Sequence, residues 1–339
     1  ASEAFAFEVK LETEEVDILR GGEAHNLLDP SRRQFYLDSV AAGGYTFIFE
    51  SPPCNTHSRA VFANAMGPRP IRDALHPRGF PYLSPALQQK AEEANVLHDF
   101  AVQILKKASD SLTLAMLEFP EDLGATPNGV PASIWQRPDM KELSQQGFVR
   151  GALYQDEWSP VPYLKPTGLF SNAFCLRQAE NVHIGWPQLN EKLSYEGPLP
   201  KREFIGKGLI GKEADGTFRT APTAAYHPAM CMRLAGILFR SWVECQPSHA
   251  PLYTPGIGGE SDAESKSSVD RSTVGEVPAP VTPPASWDAS ALPAPLSPPP
   301  VPVSMENGGR EQVAHRTCMP VFTSGVSWFK KAQRTLKER

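Results

Sequence analysis

The chain has few cysteines, and none of them form a close pair. Five are scattered over 339 residues: Cys54, Cys175, Cys231, Cys245 and Cys318. An odd, dispersed set without a CxxC pair argues against a disulfide framework, a zinc knuckle or a redox pair. It indicates a reducing, intracellular compartment. The motifs HExxH and GxSxG are also absent, which argues against a zinc peptidase and a serine hydrolase.

Long apolar runs and excess positive charge are missing too. No run approaches the roughly 20 apolar residues that span a bilayer, and the acidic N-terminus, ASEAFAFEVKLETEE, lacks the layout of a secretory signal. We therefore expect no membrane partner, and the motifs predict no metal. The net charge of −5 excludes a global basic field, so any DNA contact must come from a local basic loop. The first residue is Ala rather than Met, which suggests a fragment or a processed product.

Proline is abundant, at 34 residues, and concentrated toward the C-terminus. This bias predicts three regions: a folded domain over residues 1–246, a disordered Pro/Ser-rich linker over 247–312 and a basic C-terminal segment over 313–339. The last segment contains VSWFKKAQRTLKER, which fits either a nucleic-acid arm or the beginning of a further domain.

Strand-like and helix-like segments alternate in the first region. We predict a helix over Ser31–Ala42, a buried strand over Tyr45–Glu50, a long helix that begins at Ser84-Pro85 and a second buried strand over Leu112–Glu118. Such alternation is typical of an α/β fold with a parallel, doubly wound sheet. Ligands bind beyond the carboxyl ends of the strands in that architecture.

Ser51-Pro52-Pro53-Cys54 follows the first of these strands directly. Two prolines fix the backbone and give a stiff loop that holds the next side chain in place. A cysteine there can act as a nucleophile if nearby positive charge lowers its pKa, and a Pro- and Gly-rich segment with several arginines comes next. A small buried hydrophobe is the alternative for Cys54. The four arginines that suit DNA phosphates, or simply a solvated loop, are Arg59, Arg69, Arg72 and Arg78.

The order of these features resembles that of the DNA cytosine-C5 methyltransferases: a strand ending in Pro-Cys, a basic loop, a helix, and a strand ending in an acid. The resemblance implies a Rossmann-like methyltransferase sheet whose first strand is missing here. It also implies that Cys54 attacks C6 of a flipped cytosine while Glu118 binds the edge of the base. S-adenosylmethionine would supply the methyl group, DNA would be the partner, and a nuclear location would follow from that substrate.

The resemblance also supplies candidates for the cofactor site. Asp17 lies near the end of an extended segment, where an acid of such folds binds ribose hydroxyls. Asn26 lies where the family has an acidic motif near the adenine, although a surface turn explains it as well. Pro52, in the loop before the cysteine, is the third candidate for the cofactor site. The Lys165-Pro166-Thr167 motif and the helix after Tyr226-His227-Pro228 are similar to a divergent, retroelement-associated group of these domains; a purely structural role fits the helix equally well.

The sequence departs from the family pattern in three places. No glycine-rich Phe-x-Gly-x-Gly loop precedes these segments, Phe119 replaces an Asn next to the acid, and no Gln-x-Arg-x-Arg strand follows. These departures keep two alternatives open. One is a non-catalytic nucleic-acid-binding module of a mobile-element polyprotein. The other is an amino-methyltransferase, because Ser51-Pro52-Pro53 also fits the motif of that group.

Overall fold

The computed structural model describes residues 7–63, 67–203, 208–245 and 326–336. The helices are α1 Ile18–Gly21, α2 Pro30–Ala41, α3 Arg59–Ala63, α4 Pro85–Asp110, α5 Pro138–Gln145, α6 Gln155–Trp158 and α7 Pro228–Cys245. The strands are β1 Phe7–Val16, β2 Phe47–Glu50, β3 Leu114–Pro120, β4 Val149–Tyr154, β5 Pro166–Ser171, β6 His183–Ile184, β7 Gln188–Leu189, β8 Tyr195–Gly197 and β9 Val326–Leu336.

The described strands form a seven-stranded mixed sheet in the order β1-β9-β2-β3-β5-β4-β6, and β7 and β8 form a separate hairpin. Strands β2 and β3 pair in parallel, whereas β5 is antiparallel to both β3 and β4. Strand β9 is antiparallel to β1 and to β2. The α/β prediction is confirmed at this level, and the arrangement is compatible with a Rossmann-like fold.

The strands β2, β3, β4 and β5 are buried on both faces. Along β2, Phe47 and Phe49 belong to a core that also contains residues of α7, whereas Ile48 belongs to the core formed with α2, α4 and α5. Strand β3 alternates in the same way, with Met116 on the α7 side and Leu117 on the α4 side. This alternation follows from the two-residue period of a strand, and it decides which helix each site residue faces.

The expectation of an all-parallel sheet is wrong. Strand β5 lies between β3 and β4 and runs against them. The reason is the connection: β4 reaches β5 through the short helix α6 and a loop, and a parallel return needs a crossover of about a dozen residues or more. Strand β5 therefore begins at the edge where β3 and β4 end.

Helix α4 shows why the predicted elements form where they do. Pro85 occupies its first turn, where a missing N–H costs no hydrogen bond. Its buried residues recur every three or four positions, including Ala91, His98 and Leu105, which is the helical period of a core-facing stripe. The helix ends at Asp110, and Leu112 then takes a positive φ of 57° before β3 begins.

The predicted C-terminal regions are described only in part. The Pro/Ser-rich linker over 247–312 lies outside the described residues. Of the basic segment over 313–339, residues 326–336 form β9, which occupies the sheet position between β1 and β2. None of the helices in the described part of the chain combines the length and apolar character needed to cross a membrane.

Candidate functional site

The two motifs predicted to carry chemistry meet at one edge of the sheet. The loop from Ser51 to Cys54 leaves the end of β2, and Glu118 lies near the end of the neighbouring strand β3. Lys165 immediately precedes β5, which begins at this edge because it is antiparallel. The fourth side chain, Tyr226, comes from the turn before α7 and is buried.

Glu118 is buried and held on one side only. Ser51 Oγ donates a hydrogen bond to Glu118 Oε2 at 3.1 Å, and Tyr226 Oη donates to the same oxygen. The two hydroxyl oxygens are 2.6 Å apart. By contrast, Oε1 has no hydrogen-bond partner among the residues that the structure describes. A buried acceptor without a hydrogen bond can accept one from a ligand or a water molecule.

Lys165 is the cation of this cluster. Its Nζ lies 3.9 Å from Glu118 Oε1 and donates a hydrogen bond to the carbonyl of Thr223 at 3.1 Å. The same nitrogen lies 5.4 Å from the centre of the Tyr226 ring, within the range of a cation–π contact. The lysine side chain is 16% exposed. Its charge is therefore fixed in place beside the carboxylate.

Cys54 is half-buried and packs against the core on the α4 side of the sheet. Burial raises the pKa of its thiol; the Lys165 charge acts against that rise, and the Glu118 charge adds to it. In the free protein the thiol is therefore neutral at physiological pH, which is the reverse of an activated nucleophile. Burial is the largest cause of this rise, so greater access of water or charge to the thiol would favour its ionisation.

A layer of rings supports the Cys54 loop from below. His98 of α4 donates from Nε2 to the carbonyl of Pro53 at 2.9 Å. The ring centroids of His57 and His98 lie 4.5 Å apart. The centroid of the Phe119 ring lies 5.5 Å from that of His57 and 5.3 Å from that of His98. Burial lowers the pKa of His98 to about 4 and that of His57 in the same direction. Phe119 therefore packs a neutral layer under the loop and does not orient the acid by hydrogen bonding.

The three residues predicted to bind a cofactor line one cavity of about 130 Å³. Asp17 follows β1, and its carboxylate caps α1 by accepting from the Leu19 N–H at 2.8 Å. Asn26 Oδ1 accepts from the Leu28 N–H at 3.0 Å, so it does shape a turn. Pro52 forms the wall on the β2 side. The remaining lining residues are Val16, Ile18, His25, Leu27, Leu28, Ser51, Pro53, Leu97, Phe100 and Ala101.

The four arginines predicted to contact DNA do not form one surface. Arg72 is 1% exposed, and it donates to Asn95 Oδ1 and to the carbonyls of Pro77 and Ala91. The prediction that Arg72 contacts phosphates is therefore wrong, because its guanidinium hydrogen-bonds to groups of its own loop and of α4.

The other three arginines reach the surface to different degrees. Arg59 is half-buried and donates to the carbonyls of Leu123 and Gly124. Arg78 is exposed and forms an ion pair with Asp99 at 3.1 Å. Arg69 is exposed. Only Arg69 and Arg78 are therefore placed to meet a polyanion.

No known protein family, characterised protein or solved structure shows a significant match to this chain. Its function has to be inferred from the geometry of the site. Within the described residues, no cluster of three or more His, Cys, Asp or Glu side chains is arranged to hold a metal ion.

A second buried acid lies three residues beyond Glu118. Glu121 is 6% exposed and forms an ion pair with Arg150 of β4. Its other oxygen accepts from Tyr195 Oη at 2.8 Å. Arg150 also donates to the Gly185 carbonyl at 2.8 Å and lies 5.0 Å from the centre of the Trp135 ring. Both oxygens of this acid are paired, so it ties β3 to β4 and to the β7–β8 hairpin.

Sequence reasoning left several site residues without a role. Lys165 and Tyr226 stood in noted motifs, but nothing local indicated that they would meet Glu118. Ser51 was noted only as part of the loop, and its hydroxyl contact was not predicted. His98 carries a usable signal: it is a polar residue on the apolar stripe of α4, where a buried side chain needs a hydrogen-bond partner.

Proposed function

We propose that this protein is a DNA cytosine-C5 methyltransferase with a doubly wound methyltransferase sheet. The observation that carries the proposal is the pairing of a cysteine with a half-paired acid at one sheet edge. Cys54 ends the loop after β2, and the neighbouring strand presents Glu118 with Oε1 lacking a hydrogen-bond partner within the described residues. That geometry fits a pyrimidine ring that needs a thiolate at C6 and a carboxyl group at its amino edge.

The contacts of Glu118 and Cys54 suggest a separate role for each residue. Ser51 and Tyr226 fix Glu118 through Oε2, which leaves Oε1 to accept from the exocyclic amino group or the protonated N3 of cytosine. Hydrogen bonding at N3 withdraws electrons from the ring and promotes attack at C6. Cys54 loses its thiol proton to solvent and forms the S–C6 bond, which makes C5 nucleophilic toward a methyl donor. After methylation of C5, its proton passes to solvent, and cleavage of the S–C6 bond releases the thiolate and restores the ring.

The cavity beside the loop, with a volume of about 130 Å³, is the proposed position of the adenine ring of S-adenosylmethionine; it is too small for the whole adenosine part. Its walls are mostly apolar, which suits a flat heteroaromatic ring, and Asp17 provides a carboxylate at the end of β1 for hydroxyl groups. When bound, this cofactor supplies the methyl group. Among the described residues, none supplies a glycine-rich loop for its methionine part, and β9 occupies the sheet position next to β2.

A duplex DNA substrate has to present its target base outside the helix, because Glu118 is 3% exposed and out of reach of a stacked base. Arg69 and Arg78, which are exposed, are proposed to contact the DNA phosphates. Arg78 would exchange its ion pair with Asp99 for such a contact.

Covalent trapping tests the proposal. The full-length protein is incubated with S-adenosylmethionine and duplex DNA in which 5-fluorocytosine replaces cytosine, and adducts are resolved by denaturing electrophoresis. Fluorine blocks release of the enzyme after methyl transfer, so we expect a covalent protein–DNA band. Cys54→Ser should remove this band, whereas Cys245→Ser, which alters an exposed cysteine, should keep it.

The outcomes separate the competing functions. Methyl transfer that survives Cys54→Ser would contradict the C5 mechanism and favour amino methylation. Salt-sensitive DNA binding with no adduct and no need for cofactor would favour a non-catalytic binding module.

A further inference from the structure

Two stacked aromatic rings lie at the surface of the loop that precedes α4. Phe80 and Tyr82, here named the stacking platform, are nearly parallel, with ring centroids 5.2 Å apart and an interplanar angle of 8°. The ring of His76 lies on the other side of the pair, 5.5 Å from that of Phe80. Tyr82 is 72% exposed and contacts no further ring among the described residues. The platform therefore presents an open aromatic surface to solvent.

Hydrogen bonds hold the loop that carries the platform. The Phe80 N–H donates to the Ile71 carbonyl at 3.0 Å, and Asn95 Nδ2 of α4 donates to the Arg78 carbonyl at 2.9 Å. The loop is therefore ordered on both sides of Gly79 before any ligand binds. A surface that is already ordered loses less conformational entropy on binding.

Positive charge accompanies the rings. Residues 67–83 contain three arginines and one acid, although the whole chain has a net charge of −5. The acid, Asp73, is engaged within the loop, because its Oδ1 accepts from the His76 N–H at 2.7 Å. Arg69 and Arg78 are exposed, whereas Arg72 is buried. Exposed flat rings combined with cations are typical of sites that bind unpaired nucleobases.

The ion pair of Arg78 can be exchanged without leaving its acid unpaired. Arg78 Nη2 lies 3.1 Å from Asp99 Oδ2, and Arg137 Nη1 lies 2.7 Å from Asp99 Oδ1. If Arg78 turned to a phosphate, Asp99 would keep its pair with Arg137. Because the Arg78 side chain is 59% exposed, its ion pair contributes little to stability and is easily replaced.

We propose that Phe80 and Tyr82 stack on unpaired bases of single-stranded DNA while Arg78 contacts a phosphate of the same strand. Stacking tolerates different sequences, because every base has a flat π face. The site requires no chemistry at Cys54 or Glu118, so it goes beyond the proposed methyl transfer.

Binding of single-stranded DNA without cofactor tests the platform. The full-length protein is titrated against a fluorescently labelled oligonucleotide of about 20 nucleotides, long enough to fill a typical single-strand site. Fluorescence anisotropy gives the dissociation constant. A second strand of equal length consists of abasic sites, so it carries the same phosphates without bases and separates stacking from charge.

The Tyr82 ring should decide the affinity. Tyr82→Ala should weaken binding of the base-bearing strand about tenfold, within the range for one lost base stack, whereas Tyr82→Phe keeps the ring and should bind like the wild type. The abasic strand should bind the wild type about tenfold more weakly and should bind Tyr82→Ala equally well. Phe35→Ala is the matched control and should leave the affinity unchanged, because Phe35 is an exposed ring of α2, 56% accessible.

Arg78→Gln should weaken binding of both strands and reduce the slope of log K against log salt concentration by about 0.7. Equal affinity of the wild type for the two strands, wild-type affinity of Tyr82→Ala, or absence of binding would each overturn the platform. The comparison of the two strands on the wild type needs no variant, so it does not depend on how a variant folds. Because neither strand contains 5-fluorocytosine and no cofactor is present, the platform can hold while covalent trapping fails, and trapping can succeed while the platform fails.

Discussion

Two buried acids near the end of β3 are held in different ways. Glu121 has both carboxylate oxygens paired, one with Arg150 and the other with Tyr195. Glu118 has two hydroxyl donors on one oxygen, whereas the other lies 3.9 Å from Lys165 Nζ and receives no hydrogen bond within the described residues. A fully paired buried acid stabilises a fold, whereas a half-paired one is kept open for a ligand. The difference distinguishes a structural cluster from a candidate active site only three residues away.

The largest expected effect is on chemistry at Glu118. Glu118→Gln should reduce methyl transfer by at least about 10²-fold, because an amide cannot share a proton with the base. The unfolding free energy should change by about 1 kcal/mol, since the amide still accepts from Ser51 and Tyr226. Radiolabelled methyl incorporation and urea denaturation measure the two quantities. A large stability loss with unchanged specific activity would reverse the roles given to the two acids.

The next effect is on stability at Glu121. Arg150→Met leaves the acid buried without its ion-pair partner and should lower the unfolding free energy by about 3–5 kcal/mol. The double variant Arg150→Met/Glu121→Leu should recover much of that loss, because it removes the unpaired charge. Urea denaturation of the single and double variants provides the comparison. If the double variant is no more stable than Arg150→Met, the ion pair does not act as described.

Replacing either tyrosine that donates to a buried acid, Tyr195 or Tyr226, should have a smaller effect on stability. Tyr195→Phe removes a donor to Glu121 and should cost about 1.5–3 kcal/mol of unfolding free energy, as expected for a hydrogen bond to a charged group. Tyr226→Phe should cost less, because Ser51 still donates to Glu118, but it should lower the methylation rate. Thermal denaturation and initial-rate assays on both variants measure these effects. If the two variants lost equal stability and had equal methylation rates, the Glu121 cluster could not be called structural and the Glu118 cluster catalytic.

The effect expected to be smallest at neutral pH concerns the neutral layer under the Cys54 loop. Burial lowers the pKa of His98 to about 4, so the unfolded chain binds its proton first as the pH falls. The stability that His98 contributes is therefore present above about pH 6.5, the unfolded value, and is lost as the pH falls toward about 4. The slope is at most about 1.4 kcal/mol per pH unit.

His98→Gln should remove this share of the pH dependence. Urea denaturation at several pH values between those limits, for wild type and variant, measures the difference in slope. A difference in stability that does not vary with pH would mean that His98 is not buried in its neutral form. The assay reports His98 together with its coupling to His57, because the more distant titrating groups contribute equally to both proteins.

Much of the local structure is determined by the sequence. The long helix after Ser84, the buried strands around Ile48 and Leu117 and the helix after His227 were all predicted, because caps and hydrophobic periods act over a few residues. The same patterns placed Cys54 and Glu118 at strand ends. The compositional boundary near residue 246 is likewise a property of the chain alone.

The tertiary structure decided which side chains meet. Lys165 and Tyr226 join Glu118 because β5 runs antiparallel and α7 packs on the same face, and neither fact is encoded in the residues around them. Arg72 turned inward, toward α4, although its segment reads as a basic surface loop. Propensity and periodicity are short-range properties, whereas strand order and the pairing of buried charges depend on contacts between residues far apart in sequence. The sequence by itself determined the candidate nucleophile and acid, and only the fold brought Lys165 and Tyr226 to that acid.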